Sequence, residues 1–497
     1  MGGAIVTRAE PTEKQPLETG EIRRRALAGV AILGGRGLLL RLFGLGANVV
    51  LARLLVPEDF GLVAFGHALM VFVRFFADAG LGAALVRRPE APHRTELQAL
   101  FGFQLVATGL LAAATAAIAW PFGDSGKVTA LIVIALPVAV MRTPGAIVLE
   151  RELSYRSLFR VEVLENAAFH AWAIATVAVG WGVWGLASAA LARALVGSSV
   201  MLWIAPIGIL RPRFSWSHLR ALLAFGARYQ AVGVVDLARD QGLNVGTAAI
   251  AGVGTLGLWS LANRVLHVPY LLFESLWRVS FPAMSRLIAA GEEAKPMIER
   301  TLSLAVVGTG CLLTPLVASA PVSIPAVFGG RWSEAAEVFP WAGLGLMIGI
   351  PISVATAGYL YAVGDTSTVL RSTVLHTLGW AAVTFVLLPL FGISALGLGW
   401  LAAGLIEGGV LGRAAAKRTG ARLASLLAPP AALAVGAAGT GWWVAHSMEP
   451  SLAAAGLVAV VTEVLFLSGL LLTRRRLLGD TVSTARRALR ASIAPGG

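Results

Sequence analysis

Apolar stretches of about twenty residues recur along nearly the whole chain, with only short polar connections between them. They fall near 28–55, 60–86, 97–120, 128–149, 160–181, 183–210, 222–252, 255–286, 301–328, 336–362, 369–391, 394–412, 424–446 and 452–473. A helix needs ~20 such residues to cross a hydrocarbon core ~30 Å thick. Inside that core each backbone N–H and C=O must be satisfied within the protein, which leaves helices or closed barrels. Stretches this continuous read as helices, and about 14 of them fill the 497 residues without room for a soluble domain. Charged residues make up 13% of the chain, about half the ~25% of soluble domains. The expected fold is therefore all-α and polytopic. A single cysteine, Cys311, excludes an intrachain disulfide and any cysteine-based metal site.

The connections set orientation. Counting spans from one, the odd-to-even connections are PEDFG, PFGDSGK, GWG, GVGT, FGGRWSE, FGIS and HSMEPS, and Lys127 and Arg331 are their only basic residues. The other connections and the tails carry most of the basic charge, from Arg23 to Arg25 through Arg87, Arg88, Arg94, Arg151, Arg211 and Arg213 to Arg474 to Arg476. The positive-inside rule then predicts a multi-pass membrane protein with both termini in the cytoplasm. The net charge of +13 reads as a topology signal and as contact with membrane lipids, not as nucleic-acid binding. The first 25 residues are polar, and the apolar run after them is too long for a signal-peptide core. It reads as a retained first span.

An internal repeat is legible. Phe60-Gly61-Leu62 is echoed by Leu256-Gly257-Leu258, and Trp120-Pro121-Phe122-Gly123 by Val327-Phe328-Gly329-Gly330. Leu158-Phe159-Arg160 is echoed by Val369-Leu370-Arg371, and Val183-Trp184-Gly185-Leu186 by Ala395-Leu396-Gly397-Leu398. The echoes keep their order and side, so spans 1–6 and 7–12 read as parallel repeats about an axis along the membrane normal. The expected organisation is a cytoplasmic tail over 1–25, a six-helix bundle over 26–212, a second over 213–418, two further spans over 419–473, and a basic tail over 474–497. A central cavity is expected between the bundles.

Charges inside the spans point to that cavity, because one charge at bilayer depth costs about 2.5–3.5 kcal/mol on insertion scales. The basic residues there are all arginine: Arg36, Arg41, Arg53, Arg74, Arg142, Arg193, Arg228, Arg239, Arg264 and Arg278. The acids are Asp78, Glu162, Glu165, Asp236, Asp240, Glu274, Glu407 and Glu463. Arg53, Glu162 and Arg228 sit near span ends, where they can snorkel. On span 2, His67, Arg74 and Asp78 share one helical face at spacings of seven and four. On span 8, Arg264, His267, Glu274 and Arg278 share another, and span 7 carries Asp236, Arg239 and Asp240. Two readings stay open: self-neutralised pairs tying helices together, or polar faces lining a shared water-filled cavity between the repeats. Guanidinium groups bind phosphate or carboxylate in bidentate fashion, so arginine excess suggests an anionic cargo. An acid among arginines offers a place for a coupling proton or sodium ion. No catalytic motif occurs in a supporting context, and neither an enzyme nor a cofactor is expected.

Leu51-Ala52-Arg53-Leu54-Leu55-Val56-Pro57-Glu58-Asp59-Phe60-Gly61, followed by Phe75-Phe76-Ala77-Asp78-Ala79-Gly80-Leu81-Gly82, resembles the opening of the bacterial polysaccharide transporter family. Leu256 to Arg264 and Phe281-Pro282-Ala283-Met284-Ser285-Arg286-Leu287 resemble that family's seventh and eighth spans. These proteins are flippases for lipid-linked O-antigen, capsule and exopolysaccharide units, within the multidrug/oligosaccharidyl-lipid/polysaccharide exporter superfamily. The resemblance implies two six-helix bundles that alternate between inward and outward openings, and a polyprenyl-diphosphate-linked oligosaccharide as cargo. It also implies partnership with a polysaccharide polymerase and export machinery. The related lipid II flippase has an arginine pattern that Arg41, Gly44 and Ala52-Arg53 match closely, and a second that Arg74 to Ala79 matches with Asp78 in place of glutamate. A further arginine of its first span has no counterpart in Gly46-Ala47-Asn48. The expectation is a flippase for surface polysaccharide in which Arg41, Arg74, Arg264 and Arg278 bind the diphosphate. His67, Asp78, Asp236, Arg239, Asp240, His267 and Glu274 are expected to line the cavity or couple to an ion. A lipid II flippase, a cation-coupled drug antiporter and a non-transporting scaffold are the alternatives.

Overall fold

Proline and glycine decide where the helices of this chain break. The computed structural model describes residue 40, residues 42–88 and 90–475, and residue 479. Arg41 and most of both tails lie outside the described residues, as do the side chains of Arg228, Glu274 and Arg278. Helix α1 (Leu42–Leu54) leads through Val56 into α2 (Pro57–Asp78), with Pro57 in its first turn and Glu58 and Asp59 at its positive end. Asp59 Oδ2 accepts from the Val56 N–H at 3.3 Å. A short α3 (Leu81–Arg87) follows. Then come α4 (Arg94–Ala119), α5 (Gly123–Val133), α6 (Leu136–Val140), α7 (Thr143–Arg151), α8 (Tyr155–Thr176) and α9 (Val183–Ile204). The second part comprises α10 (Trp216–Ala289), α11 (Lys295–Phe328), α12 (Phe339–Ala362), α13 (Thr366–Phe391) and α14 (Ser394–Thr419), and α15 (Leu423–Ala445) and α16 (Leu452–Thr473) close the chain.

Two predicted spans are broken where the sequence reading runs them straight. The stretch 60–86 breaks at Ala79 and Gly80, both with positive φ, of 48° and 68°. A Cβ on Gly80 would lie 2.6 Å from Gly226 O, so the break admits the backbone of α10. The stretch 128–149 breaks twice, before Pro137 and before Pro144, each of which opens a new helix. Conversely, α10 continues for 74 residues. A straight helix of that length would be about 110 Å long at 1.5 Å per residue, far beyond a bilayer. Gly252, with φ 83° and ψ 166°, turns it back on itself, in a region that only glycine enters readily. Residues 239–244 of the first arm consequently face 259–267 of the second.

Among the described residues, twelve helical segments are long and apolar enough to cross a membrane. The expected count of 14 differs in two places. The first stretch is described as a helix only from Leu42, and the two arms of α10 contribute one segment, Gly233–Pro269. Lipid-facing positions are apolar, as at Trp203, Val179 and Leu472, which are 86%, 74% and 81% exposed.

Helices α11 and α12 form the core of the second part, where Trp332 and Phe339 are fully buried. Helices α15 and α16 pack outside it on α11: the Phe466 ring fills the space over Gly310, and Gly441 closes on Ala318 and Thr462. Trp332 also ties the two parts together. Its Nε1 donates to Ala52 O at 2.9 Å, and its ring meets Phe60 edge-on with centroids 4.9 Å apart. Nearby, Arg53 donates to Val327 O at 2.8 Å and to Ala326 O, at the C-terminal end of α11. Arg53 thus caps a helix rather than snorkelling to the interface. Trp332→Ala removes both the hydrogen bond and the buried ring, and is expected to destabilise the protein by about 3–5 kcal/mol. A thermal melt in detergent checks this, with Trp332→Phe falling between the two.

Many basic residues of the even-to-odd connections are engaged within the protein. Arg151 Nη1 donates to Leu85 O at 2.7 Å and Arg88 O at 2.6 Å, Arg88 pairs with Glu96 at 2.6 Å, and Arg94 Nη2 donates to Ile209 O at 3.2 Å. Asp365 caps α13, accepting from the Thr368 hydroxyl at 2.8 Å and pairing with Arg418 at 2.6 Å. The Thr368 and Ser367 hydroxyls hold its carboxyl below the usual aspartate range.

Candidate functional site

A cavity of about 1510 Å³ lies within the first part and gathers many of its charged side chains. Helix α2 contributes Arg74 and Asp78, α4 Gln104, α8 Glu162 and Glu165, and α9 Arg193, while Arg142 sits at the proline break between α6 and α7. Gln230 and Gly233 of α10 complete the wall, so the cavity reaches the seam between the two parts. Glu165 is its buried anchor, with 4% of its side chain exposed. Its Oε2 accepts from Arg142 Nη1 and its Oε1 from Arg193 Nη2 at 2.9 Å. Two arginines therefore share one carboxylate.

Asp78 does not pair with Arg74, although the i, i+4 spacing invites it. Its Oδ1 accepts from Gln104 Nε2 at 2.8 Å. Arg74 makes no salt bridge with any described residue and is exposed to the cavity. Formal charges on the lining balance, with Arg74, Arg87, Arg142 and Arg193 against Asp78, Glu150, Glu162 and Glu165. Their placement does not. Glu165 is buried while its two arginines stay partly exposed, and Arg74 has no carboxylate partner among the described residues.

Two further basic residues lie where α2 meets α10. His67 and Arg264 have large accessible areas yet are surrounded by protein atoms, so they face an internal space. The charges of Arg193, Arg264 and Arg74 all bear on His67. Arg264 Nη1 donates to Asn48 Oδ1 on α1, and its guanidinium lies 6.0 Å from the centroid of the Phe60 ring. Asn48 belongs to the Gly46-Ala47-Asn48 stretch in which the sequence comparison finds no arginine. Here the guanidinium enters that neighbourhood from the opposite half.

Some of the remaining expected residues fall in a second, smaller pocket of about 450 Å³ between α10, α12, α13 and α14. Arg239, Asp240 and His267 line it, and Asp236 does not. Arg239 pairs with Asp236 at 3.3 Å and with Asp240 at 2.7 Å. On α10 the arrangement is thus the self-neutralised one. The pocket also holds Glu407, noted in the sequence only as an acid within a span, whose Oε2 lies 3.3 Å from His376 Nδ1. His376 and the indoles of Trp259, Trp380 and Trp400 gave no sequence signal. Arg41 lies outside the described residues. Glu274 and Arg278 lie on the second arm of α10, their side chains undescribed.

A profile of the family described as polysaccharide biosynthesis protein matches residues 50–337, more than half of the chain. The chain belongs to the polysaccharide biosynthesis protein family. It is 26% identical over 341 residues to the lipopolysaccharide biosynthesis protein WzxC of Escherichia coli, covering 66% of each chain. It is 23% identical over 311 residues to the succinoglycan biosynthesis transport protein ExoT of Rhizobium meliloti, covering 60% of each. The chain thus spans under two thirds of the length of these relatives. Its fold is that of the lipid II flippase MurJ in an inward closed conformation (TM-score 0.67, 13% identity, 90% of this chain and 100% of the other). An inward-facing multidrug transporter of the MATE family shares it (TM-score 0.57, 16% identity, 78% and 95%). This member of the polysaccharide biosynthesis family is a multi-pass membrane protein of the same transporter fold.

Sequence signals for the missed first-cavity residues exist. Pro137 and Pro144 interrupt an apolar span, and interrupted spans in membrane proteins border cavities. Arg142 lies between the two breaks.

Proposed function

We propose that the protein is a flippase that moves a polyprenyl-diphosphate-linked oligosaccharide from the cytoplasmic to the outer leaflet of the inner membrane, by alternating access and with both termini in the cytoplasm. The observation that carries this reading is the set of arginines in the first cavity: Arg74 without a carboxylate partner among the described residues, beside Arg142 and Arg193 sharing Glu165. A diphosphate presents several anionic oxygens, and charge-assisted bidentate bonds to arginine are the strong way to hold them. Arg264 contributes from the other half, and Arg41 and Arg278 complete the proposed set. Asp78, Asp236, Asp240 and Glu274 orient the arginines or couple transport to a proton or sodium ion. Relatives named for succinoglycan and lipopolysaccharide biosynthesis support a saccharide cargo, used together with a polymerase and export machinery. This favours surface polysaccharide over lipid II, and an anionic cargo over the organic cations of a drug antiporter.

Arg74→Ala and Arg41→Ala are each expected to reduce export of surface polysaccharide at least about tenfold at normal membrane abundance, since a lost charge-assisted bond is worth ~1.5–3 kcal/mol. In proteoliposomes the same variants should slow transfer of a fluorescent polyprenyl-diphosphate sugar. If both export like the wild type, the anion-site assignment is wrong.

A further inference from the structure

The tryptophan-lined pocket of the second part is the strongest feature that transport of a diphosphate leaves unused. We propose that it binds a sugar ring of the cargo, stacked on Trp400; this rests on the flippase reading above. Trp400 is partly exposed and is backed by two buried indoles, Trp259 at 5.9 Å and Trp380 at 5.7 Å between ring centroids. Its backbone is fixed as well, because a Cβ on Gly345 would lie 2.4 Å from Trp400 O. The indole is therefore a rigid platform. The axial C–H bonds of a pyranose make one face of the ring apolar, and an amphipathic aromatic surface matches that face.

The rest of the wall suits hydroxyl groups. Gln241, Asn244, Asn263 and His267 bring planar donors and acceptors around the platform. Asn263 Oδ1 is buried without a hydrogen-bond partner among the described residues. Arg239 is engaged by Asp240, and Glu407 has His376 Nδ1 at 3.3 Å, so each charged side chain on the wall has a neighbour within the pocket and a neutral polyhydroxyl guest suits it. A volume of about 450 Å³ lies within the ~300–1,000 Å³ of small-ligand sites. The two pockets divide the cargo between the halves: arginines in the first hold the diphosphate, and the indole in the second holds the sugar.

The test uses two cargoes in proteoliposomes, a fluorescent polyprenyl-diphosphate disaccharide and the same lipid diphosphate without sugar. Trp400→Ala should slow transfer of the disaccharide cargo about tenfold, in line with loss of an aromatic contact, and leave the sugar-free lipid within about twofold. Trp400→Phe should recover most of the difference, and Asn244→Ala, a smaller change on the wall, should show the same selectivity. Arg74→Ala should slow both cargoes. Equal slowing of both by Trp400→Ala and Asn244→Ala, or no slowing of either, overturns the inference. If the wild type moves neither cargo, the flippase reading falls. Equilibrium dialysis with a radiolabelled free disaccharide then decides the pocket by itself: retention by the wild type and loss in Trp400→Ala support it, and equal retention by both refutes it.

Discussion

Gly257→Leu is expected to abolish transport while leaving the protein folded. A Cβ at this position would lie 1.8 Å from Pro57 O and 3.0 Å from Gly61 N, and one on Gly61 would lie 1.7 Å from Val253 O. These neighbours are backbone, so no rotamer change relieves the clash. α2 and α10 must instead separate at the end that carries the Pro57 and Gly252 turns. The opposite ends of the same helices meet similarly, with a Cβ on Gly226 only 2.0 Å from Ala79 O. The proposed alternating access requires each end to close in its turn, and closure here is contact of bare backbone. Overpacking such a contact costs about 1–3 kcal/mol or more, which shifts a two-state equilibrium by roughly 5–150-fold. Gly257→Leu should hold the Pro57 end open and Gly226→Leu the other. A single cysteine at Asn48, in a Cys311→Ser background, reports the difference: faster labelling from the Pro57 side in Gly257→Leu and slower in Gly226→Leu. Full transport by Gly257→Leu would show that this end never needs to close.

The fold was legible because its signals are redundant. Each apolar stretch, short turn and basic connection carries the same message, and Gly252 in the GVGT connection even marks the turn inside α10. The breaks were harder. Nothing local to Ala79-Gly80 calls for an interruption; it exists because Gly226 comes in from a segment nearly 150 residues away. The site was legible by face but not by partner. The spacing of Arg74 and Asp78 is that of an ion pair, yet the pair does not form, because Gln104 on α4 takes the carboxylate. Glu165 and Arg193 lie on separate helices and share no spacing that a single helix could reveal. The tryptophan pocket was invisible for a different reason: in a chain this apolar an indole is compositionally ordinary, and only packing shows that three of them meet.

Glu165→Leu and Glu165→Gln are expected to fail in different ways, and the difference separates structural from functional roles of the arginines. Leucine leaves Arg142 and Arg193 without their carboxylate in a site where that carboxylate is almost fully buried. Breaking a fully buried pair from one side costs about 3–5 kcal/mol. The two arginines left here are partly exposed to the cavity, so the loss is smaller, and Glu165→Leu should melt earlier than the wild type. Glutamine keeps an acceptor for one arginine and nearly the same volume, which matters because a Cβ on Gly197 would already lie 2.6 Å from Glu165 Oε2. The Glu165→Gln protein should therefore fold. It should also bind inorganic diphosphate about tenfold more tightly, since ~1.4 kcal/mol is a modest gain for releasing a guanidinium to an anion. Transport should nevertheless fall, because a site that no longer competes with its cargo for arginine releases that cargo slowly. If Glu165→Gln loses stability with no change in diphosphate binding, the triad only fastens α7, α8 and α9 together, and Arg74 and Arg264 alone would have to meet the anion.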